Sequence, residues 1–83
     1  MSFKVGDRVT RMVHRQRSHG GGQRAEQGVV VAVVASGIHV DIACADAGVT
    51  KPDSSSSFRD HESYIVRVGS KNYWPLVAKL RSA

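Results

Sequence analysis

Several residue types are scarce in this sequence, and each scarcity narrows what the protein can be. The 83 residues include one cysteine, Cys44, so no disulfide can form within the chain and a four-cysteine zinc site is excluded. No apolar run approaches the roughly 18 residues that a membrane-spanning helix needs. The N-terminal residues also lack the apolar stretch of a signal peptide. We therefore expect a soluble, cytoplasmic protein.

The length of the chain limits it to one domain, residues 1–83, with one small core. A core of this size seldom supplies more than about 3–5 kcal/mol, and no disulfide adds to it. Assembly into a homo-oligomer is therefore an open alternative to a monomer.

Acidic residues are fewer than basic ones. Twelve Lys and Arg against seven Asp and Glu give a formal net charge of +5. Five arginines precede residue 25, namely Arg8, Arg11, Arg15, Arg17 and Arg24, whereas most acidic residues fall between 41 and 62. This asymmetry favours contact with a polyanion such as nucleic acid, although a solvated surface that only keeps the protein soluble has the same composition.

The pattern of apolar residues predicts strands. One segment, 29–34, is an unbroken β-branched run that is typical of a buried strand, and another, 38–44, alternates strictly between apolar and other residues. The five segments that fit a strand are 8–14, 29–34, 38–44, 63–68 and 71–75. Pro75 should end the last of them, and residues 76–80 can then form one helical turn.

The connections complete the predicted fold. Residues 15–27 contain three successive glycines, and residues 45–62 contain the serine run 54–57, so both read as exposed polar loops. With no long amphipathic helix, the sequence predicts an all-β fold, a five-stranded SH3-like barrel with long second and third connections. An open sheet that forms half of a dimer is the alternative.

Motifs along most of the chain resemble those of SH3-like barrels such as Tudor-like and ribosomal KOW-like domains. They are Phe-x-x-Gly-Asp-Arg-Val at 3–9, Gly-Val-Val at 28–30, Tyr-Ile-Val at 64–66 and Trp-Pro at 74–75. The resemblance implies an architecture rather than an activity, because Gly-Asp makes the turn that leads into the first strand.

The opening motif is also similar to that of the plasmid-borne type II dihydrofolate reductases, SH3-like chains that assemble four to a molecule around a central pore. Their pore is lined by a Val-Gln-Ile-Tyr-Pro strand after Gly-Ser, and here Lys-Asn-Tyr-Trp-Pro follows Gly-Ser at 69–70. The resemblance aligns Arg11, Asn72, Tyr73 and Trp74 with the family's pore residues. All four differ from the family's residues, and the 15–27 loop and the 35–61 region are longer. The resemblance thus implies a reductase only as an alternative function.

Two groups of residues are candidate binding sites. The first is the basic loop, where Arg15, Arg17 and Arg24, with Arg11 on the strand before it, can pair with phosphate through their guanidinium groups. A flexible hairpin tip is the plainer interpretation. The second is an aromatic face made by Tyr64, Lys71, Asn72, Tyr73 and Trp74, because such rings stack on bases or receive proline side chains. Packing of the rings inside the core or an interface is the alternative there.

No catalytic or metal-binding motif stands out. The four histidines lack zinc-site spacing, and a serine run in a loop lacks the fixed geometry of a nucleophile. We predict no metal, no cofactor and no catalytic residue. The predicted function is a non-enzymatic binding module that engages a nucleic acid or a protein partner. The alternatives are a reductase-like pore enzyme and a small accessory protein of a phage or other mobile element that binds a host protein.

Overall fold

The computed structural model describes residues 2–14, 23–52 and 57–83. Within them, five strands form one antiparallel sheet with the order β4-β3-β2-β1-β5. The strands are β1 Arg8–His14, β2 Gln23–Val34, β3 Ser63–Val68, β4 Lys71–Tyr73 and β5 Leu80–Ser82. One α-helix, α1, spans Val40–Ala47, and a single 3-10 turn at Val77–Lys79 precedes β5. The predicted all-β architecture of five strands is confirmed.

The sheet curls into a small barrel. Arg11 on β1 and Tyr73 on β4 stand three places apart in the strand order, yet the guanidinium carbon lies 4.0 Å from the ring centroid. Phe3, which precedes β1, packs edge-on against Tyr64 of β3 with 5.3 Å between ring centroids. Such contacts across the sheet require that it is strongly curved, as in a small barrel.

The central strand β2 serves two cores because its register against β3 shifts between Val30 and Ala32, as at a β-bulge. Val30 packs inside the barrel with Tyr64 and other residues of an inner core. Ala32 and Ile65 belong to an outer core on the opposite face of the sheet, under α1. Burial on both faces explains why residues 30–34 are apolar without alternation.

The predicted strand at 38–44 is wrong, because this part of the chain lies in and before α1. Helical spacing buries Val40, Ala43 and Cys44 against the sheet, whereas Ile42 is exposed. The helix begins after His39, whose Nδ1 accepts a hydrogen bond from the Asp41 N–H at 3.3 Å. It ends at Gly48, which adopts φ 69° as helix-ending glycines commonly do.

Other boundaries differ from the predicted ones. Residues 23–27, assigned to the first loop, belong to β2 and pair with β1. Residues 35–62 form one connection between β2 and β3, with α1 inside it. The predicted helical turn is the 3-10 turn, but the strand after it, β5, was not predicted and pairs with Val9–Arg11. The remainder of the basic loop, 15–22, and residues 53–56 lie outside the described residues.

Gly28 on β2 lets β3 approach closely. A methyl group at this position would lie 2.5 Å from the carbonyl oxygen of Arg67 and 2.7 Å from Cγ1 of Val66. Any side chain here would push β3 away, and with it Arg67.

None of the helices in the described part of the chain is long and apolar enough to cross a membrane.

Candidate functional site

A cleft of about 660 Å³ opens beside β4, within the size range of small-ligand sites. Its walls come from β1, from the segment 50–52 after α1, from β3 and from residues 70–75. Among the described residues, four basic side chains and no carboxylate line it; the basic residues are Arg11, Lys51, Arg67 and Lys71. The cleft therefore gathers positive charge from parts of the chain that are far apart in sequence.

Arg11 lies over the ring of Tyr73, with 4.0 Å between the guanidinium carbon and the ring centroid, a cation–π contact. Its Nη1 also lies 3.4 Å from Oε1 of Glu26, the residue opposite it on β2. The other oxygen of Glu26 accepts a hydrogen bond from Nη2 of Arg24 at 2.7 Å. One carboxylate is thus shared between two arginines, and the group keeps a net positive charge.

The Arg11 Nη1 atom is buried and forms no hydrogen bond with the described residues. The contact with Glu26 is within ion-pair distance but lacks the geometry of a hydrogen bond. The side chain as a whole is 20% exposed. Arg11 therefore lines the cleft while one of its donor atoms is buried without a hydrogen-bond partner among the described residues.

Hydrogen bonds, an arginine over the ring and core packing hold Trp74, the next residue after Tyr73, in place. Its Nε1–H donates to Oγ of the fully buried Ser63 at 2.8 Å. Arg59 lies over the ring at 3.9 Å and donates to the carbonyl oxygens of Trp74 and Pro75 at 2.9 and 2.8 Å. Burial lowers the pKa of the Arg59 guanidinium. Because the ring also packs against the outer core, Trp74 joins the 57–62 segment, β3 and the barrel.

The segment after α1 forms the far wall of the cleft. Nδ2 of Asn72 donates to the carbonyl oxygen of Thr50 at 2.9 Å, which ties this segment to β4. Nζ of Lys51 lies 3.0 Å from Oδ1 of Asp41 on α1. Oδ1 of Asn72 is buried and has no hydrogen-bond partner in the described part of the chain.

Tyr64 does not belong to the predicted aromatic face, because its side chain is 1% exposed. It alternates with Val66 on the inner face of β3, so its ring enters the barrel. The hydroxyl accepts a hydrogen bond from the Phe3 N–H at 3.2 Å and donates to Glu62 Oε1 at 2.5 Å. Burial, and secondly the hydrogen bond to Glu62, raises the pKa of Tyr64.

The other predicted site residues divide into three groups. Five of them line the cleft beside β4, namely Arg11, Lys71, Asn72, Tyr73 and Trp74. Arg24 lies outside the lining and is 56% exposed. Arg15 and Arg17 are outside the described residues. The positions that the reductase resemblance aligns with pore residues are all in the first group.

Sequence reasoning missed Thr50, Lys51 and Arg67, which also line the cleft. Arg67 carries a usable signal, since a charged residue between Val66 and Val68 must lie on the face opposite them. No comparable signal exists for Thr50 and Lys51, because the long connection that brings them to β4 has no regular register with the sheet.

Metal chemistry finds no support in the described ranges, where no three His, Cys, Asp or Glu side chains are grouped to hold an ion. Comparisons with protein-family models, with curated proteins and with solved structures find no match to this chain. The function is therefore inferred from the cleft itself.

Proposed function

We propose that the protein is a non-enzymatic binding module whose cleft beside β4 takes a polyanion, and that this polyanion is nucleic acid. The supporting observation is the convergence of four basic side chains on a cleft whose lining, as far as the structure describes the chain, contains no carboxylate. Lysine and arginine contacts to phosphates supply most of the affinity of nucleic-acid-binding proteins.

The placement of these charges matters more than the total of +5. Charges that are separated by more than about 8 Å in water are largely screened at physiological salt. Side chains that line one cleft lie close enough to act on the same ligand. Arg67 and Lys71 form none of the ion pairs found among the described residues, so their charges remain available to a ligand.

The proposal is tested by measuring the salt dependence of binding to a labelled oligonucleotide. We expect the double variant Arg67→Gln/Lys71→Gln to weaken binding and to reduce the slope of log K against log salt by about 0.7–0.9 for each lost phosphate contact. Arg8→Gln/Arg81→Gln is the matched control, because both arginines are exposed and neither lines the cleft. Equal losses in the two variants would mean that the charge of the whole protein, rather than the cleft, drives binding.

The affinity of the wild-type protein for the oligonucleotide distinguishes a nucleic-acid partner from a protein partner. Affinity no better than the ~10⁻⁴ M of weak non-specific contacts would contradict nucleic-acid binding. A protein partner would then be favoured, including the case of an accessory protein from a mobile element that binds a host protein. The proposal also places the module in the cytoplasm, where nucleic acid is accessible to it.

A reductase-like pore enzyme is the second candidate, because Arg11, Asn72, Tyr73 and Trp74, the positions aligned with pore residues, line one cleft. A pore requires a homo-oligomer, so sedimentation analysis comes first. We expect no NADPH-dependent reduction of dihydrofolate, since Asn72 and Trp74 replace the family's Gln and Tyr. A tetramer with turnover would replace the binding proposal by the enzyme.

A further inference from the structure

We infer, on the basis of the proposed function, that the cleft takes single-stranded rather than double-stranded nucleic acid. In this inference Tyr73 stacks on a base, and Arg11 contacts the neighbouring phosphate. Three independent features of the described residues lead to it.

The first feature is the absence of a suitable helix for duplex recognition. Proteins that read a duplex commonly place a helix or a β-ribbon in the major groove. In the described ranges the only α-helix is α1, which has eight residues, and it presents the exposed carboxylates Asp41 and Asp46 with no basic residue in its last turn. This helix would repel a phosphate backbone. The β1–β2 hairpin is the remaining candidate, and Arg24 on it is paired with Glu26.

The second feature is the different availability of the two rings in the cleft. Trp74 has Arg59 over its ring, and its N–H is bonded to Ser63. Tyr73 is partly exposed, and its ring contact comes from Arg11, which itself lines the cleft. Tyrosine rings and arginine guanidinium planes are the surfaces on which unpaired bases stack.

The third feature is the hydrogen-bonding capacity left over at the cleft. Arg11 Nη1 is a donor without a partner, and Asn72 Oδ1 is an acceptor without one, among the residues described. Because both atoms are buried, a ligand pairs with them only when the side chains of Arg11 and Asn72 turn into the cleft, and it then has to offer an acceptor and a donor. Inorganic polyphosphate offers acceptors alone, whereas a nucleotide joins a phosphate to a base with N–H donors. Those donors are engaged in a duplex and free in a single strand.

The experiment compares three labelled probes by fluorescence anisotropy: a single-stranded 12-mer, the duplex of the same sequence, and heparin, a polyanion without bases. We expect the single strand to bind at least tenfold more tightly than the duplex. Tyr73→Leu should weaken single-strand binding about tenfold and change heparin binding less than twofold. Phe58→Leu is the matched control, since Phe58 is 62% exposed and does not line the cleft.

A second variant separates the loss of a binding contact from a loss of folded structure. Arg11→Lys keeps the charge and loses the planar guanidinium, so it should weaken single-strand binding more than heparin binding. Equal affinity for all three probes, with Tyr73→Leu neutral, would overturn the inference and leave polyanion binding intact. Preference for the duplex would also overturn it and would favour the β1–β2 hairpin. Binding of none of the probes would overturn the proposed function itself.

Discussion

Two adjacent aromatic residues illustrate how similar local contacts serve different purposes. Tyr73 and Trp74 each lie under an arginine, Arg11 at 4.0 Å and Arg59 at 3.9 Å from the ring centroid. We call these pairs the Tyr73 stack and the Trp74 stack. Judged by the cation–π geometry alone, the two stacks are equivalent.

The hydrogen bonds distinguish the two stacks. In the Trp74 stack, Arg59 donates to two backbone carbonyl oxygens, and the indole N–H donates to buried Ser63. In the Tyr73 stack, Arg11 has an ion pair with Glu26 and a buried donor without a partner. Satisfied buried groups stabilise a fold, and groups with spare capacity remain available to a ligand. We therefore expect the Trp74 stack to stabilise the fold, and the proposed function uses the Tyr73 stack as the binding contact.

The largest expected effect is the loss of stability on truncating Trp74. Trp74→Ala should lower the free energy of unfolding by about 3 kcal/mol, because it empties part of the outer core and leaves the Ser63 hydroxyl without its donor. Tyr73→Ala should cost about 1 kcal/mol, since the ring is partly exposed. Urea denaturation measures both values, and equal costs would remove the distinction between the stacks.

Replacing Arg59 should cost more stability than replacing Arg11, as replacing Trp74 should cost more than replacing Tyr73. Arg59→Met should cost about 2 kcal/mol, because two carbonyl oxygens lose a charged donor in a partly buried place. Arg11→Met should change stability by less than about 1 kcal/mol and weaken oligonucleotide binding. If Arg59→Met weakened binding as much as Arg11→Met, while both proteins stayed folded, the division of roles would be wrong.

Removing the charge of Glu26 should have a smaller effect, and it should strengthen oligonucleotide binding rather than weaken it. This carboxylate competes with a ligand phosphate for Arg11, so Glu26→Gln should raise the affinity for a single-stranded oligonucleotide about two- to fivefold, the size expected of a partly exposed ion pair. The salt dependence should become steeper. Asp7→Asn is the control for the change in net charge, because Asp7 forms none of the ion pairs found among the described residues. An equal gain in both variants would assign the effect to overall charge.

The smallest expected effect is the contribution of Tyr64 to the pH dependence of stability. Its ring is buried inside the barrel and serves as a reference for Tyr73 and Trp74. Its pKa is raised in the folded protein, so the neutral phenol is the form that folding favours. The corresponding stability is fully present below the unfolded pKa of about 10 and is lost as the pH rises through the folded pKa. Denaturation between about pH 8 and pH 11 should therefore show a steeper loss for the wild type than for Tyr64→Phe. Parallel curves would contradict the pKa shift.

Much of the fold follows from local pattern. The alternation in 8–14 and the β-branched run in 29–34 predict β1 and the core of β2 correctly, because side-chain period and β propensity agree there. The segment 38–44 misleads because Ile38, Val40, Ile42 and Cys44 alternate, while the helix needs only Val40, Ala43 and Cys44 to be buried. A short apolar segment can fit both the period of a strand, about two residues, and that of a helix, about 3.6 residues. Here the caps at His39 and Gly48 favour the helix.

The candidate site is less accessible to sequence reasoning. The sequence points to Asn72 and Tyr73 through the resemblance to the pore strand of the type II reductases and through the aromatic face that SH3-like barrels often present. Lys51 and Arg67 were not predicted, because they reach the cleft through the packing of α1 and the pairing of β3 with β4. The burial of Tyr64 depends on which face of β3 turns into the barrel, and both faces of that strand begin with apolar or small residues.

The central claim is that the cleft beside β4 is the binding site, and chemical-shift mapping tests it most directly. A single-stranded oligonucleotide titrated into ¹⁵N-labelled protein should shift the amide signals of Arg11, residues 50–51, Arg67 and residues 70–73. The amides of α1 from Ile42 to Ala47 should remain unchanged. Shifts that cluster away from the cleft, with residues 70–73 unaffected at saturation, would contradict the account.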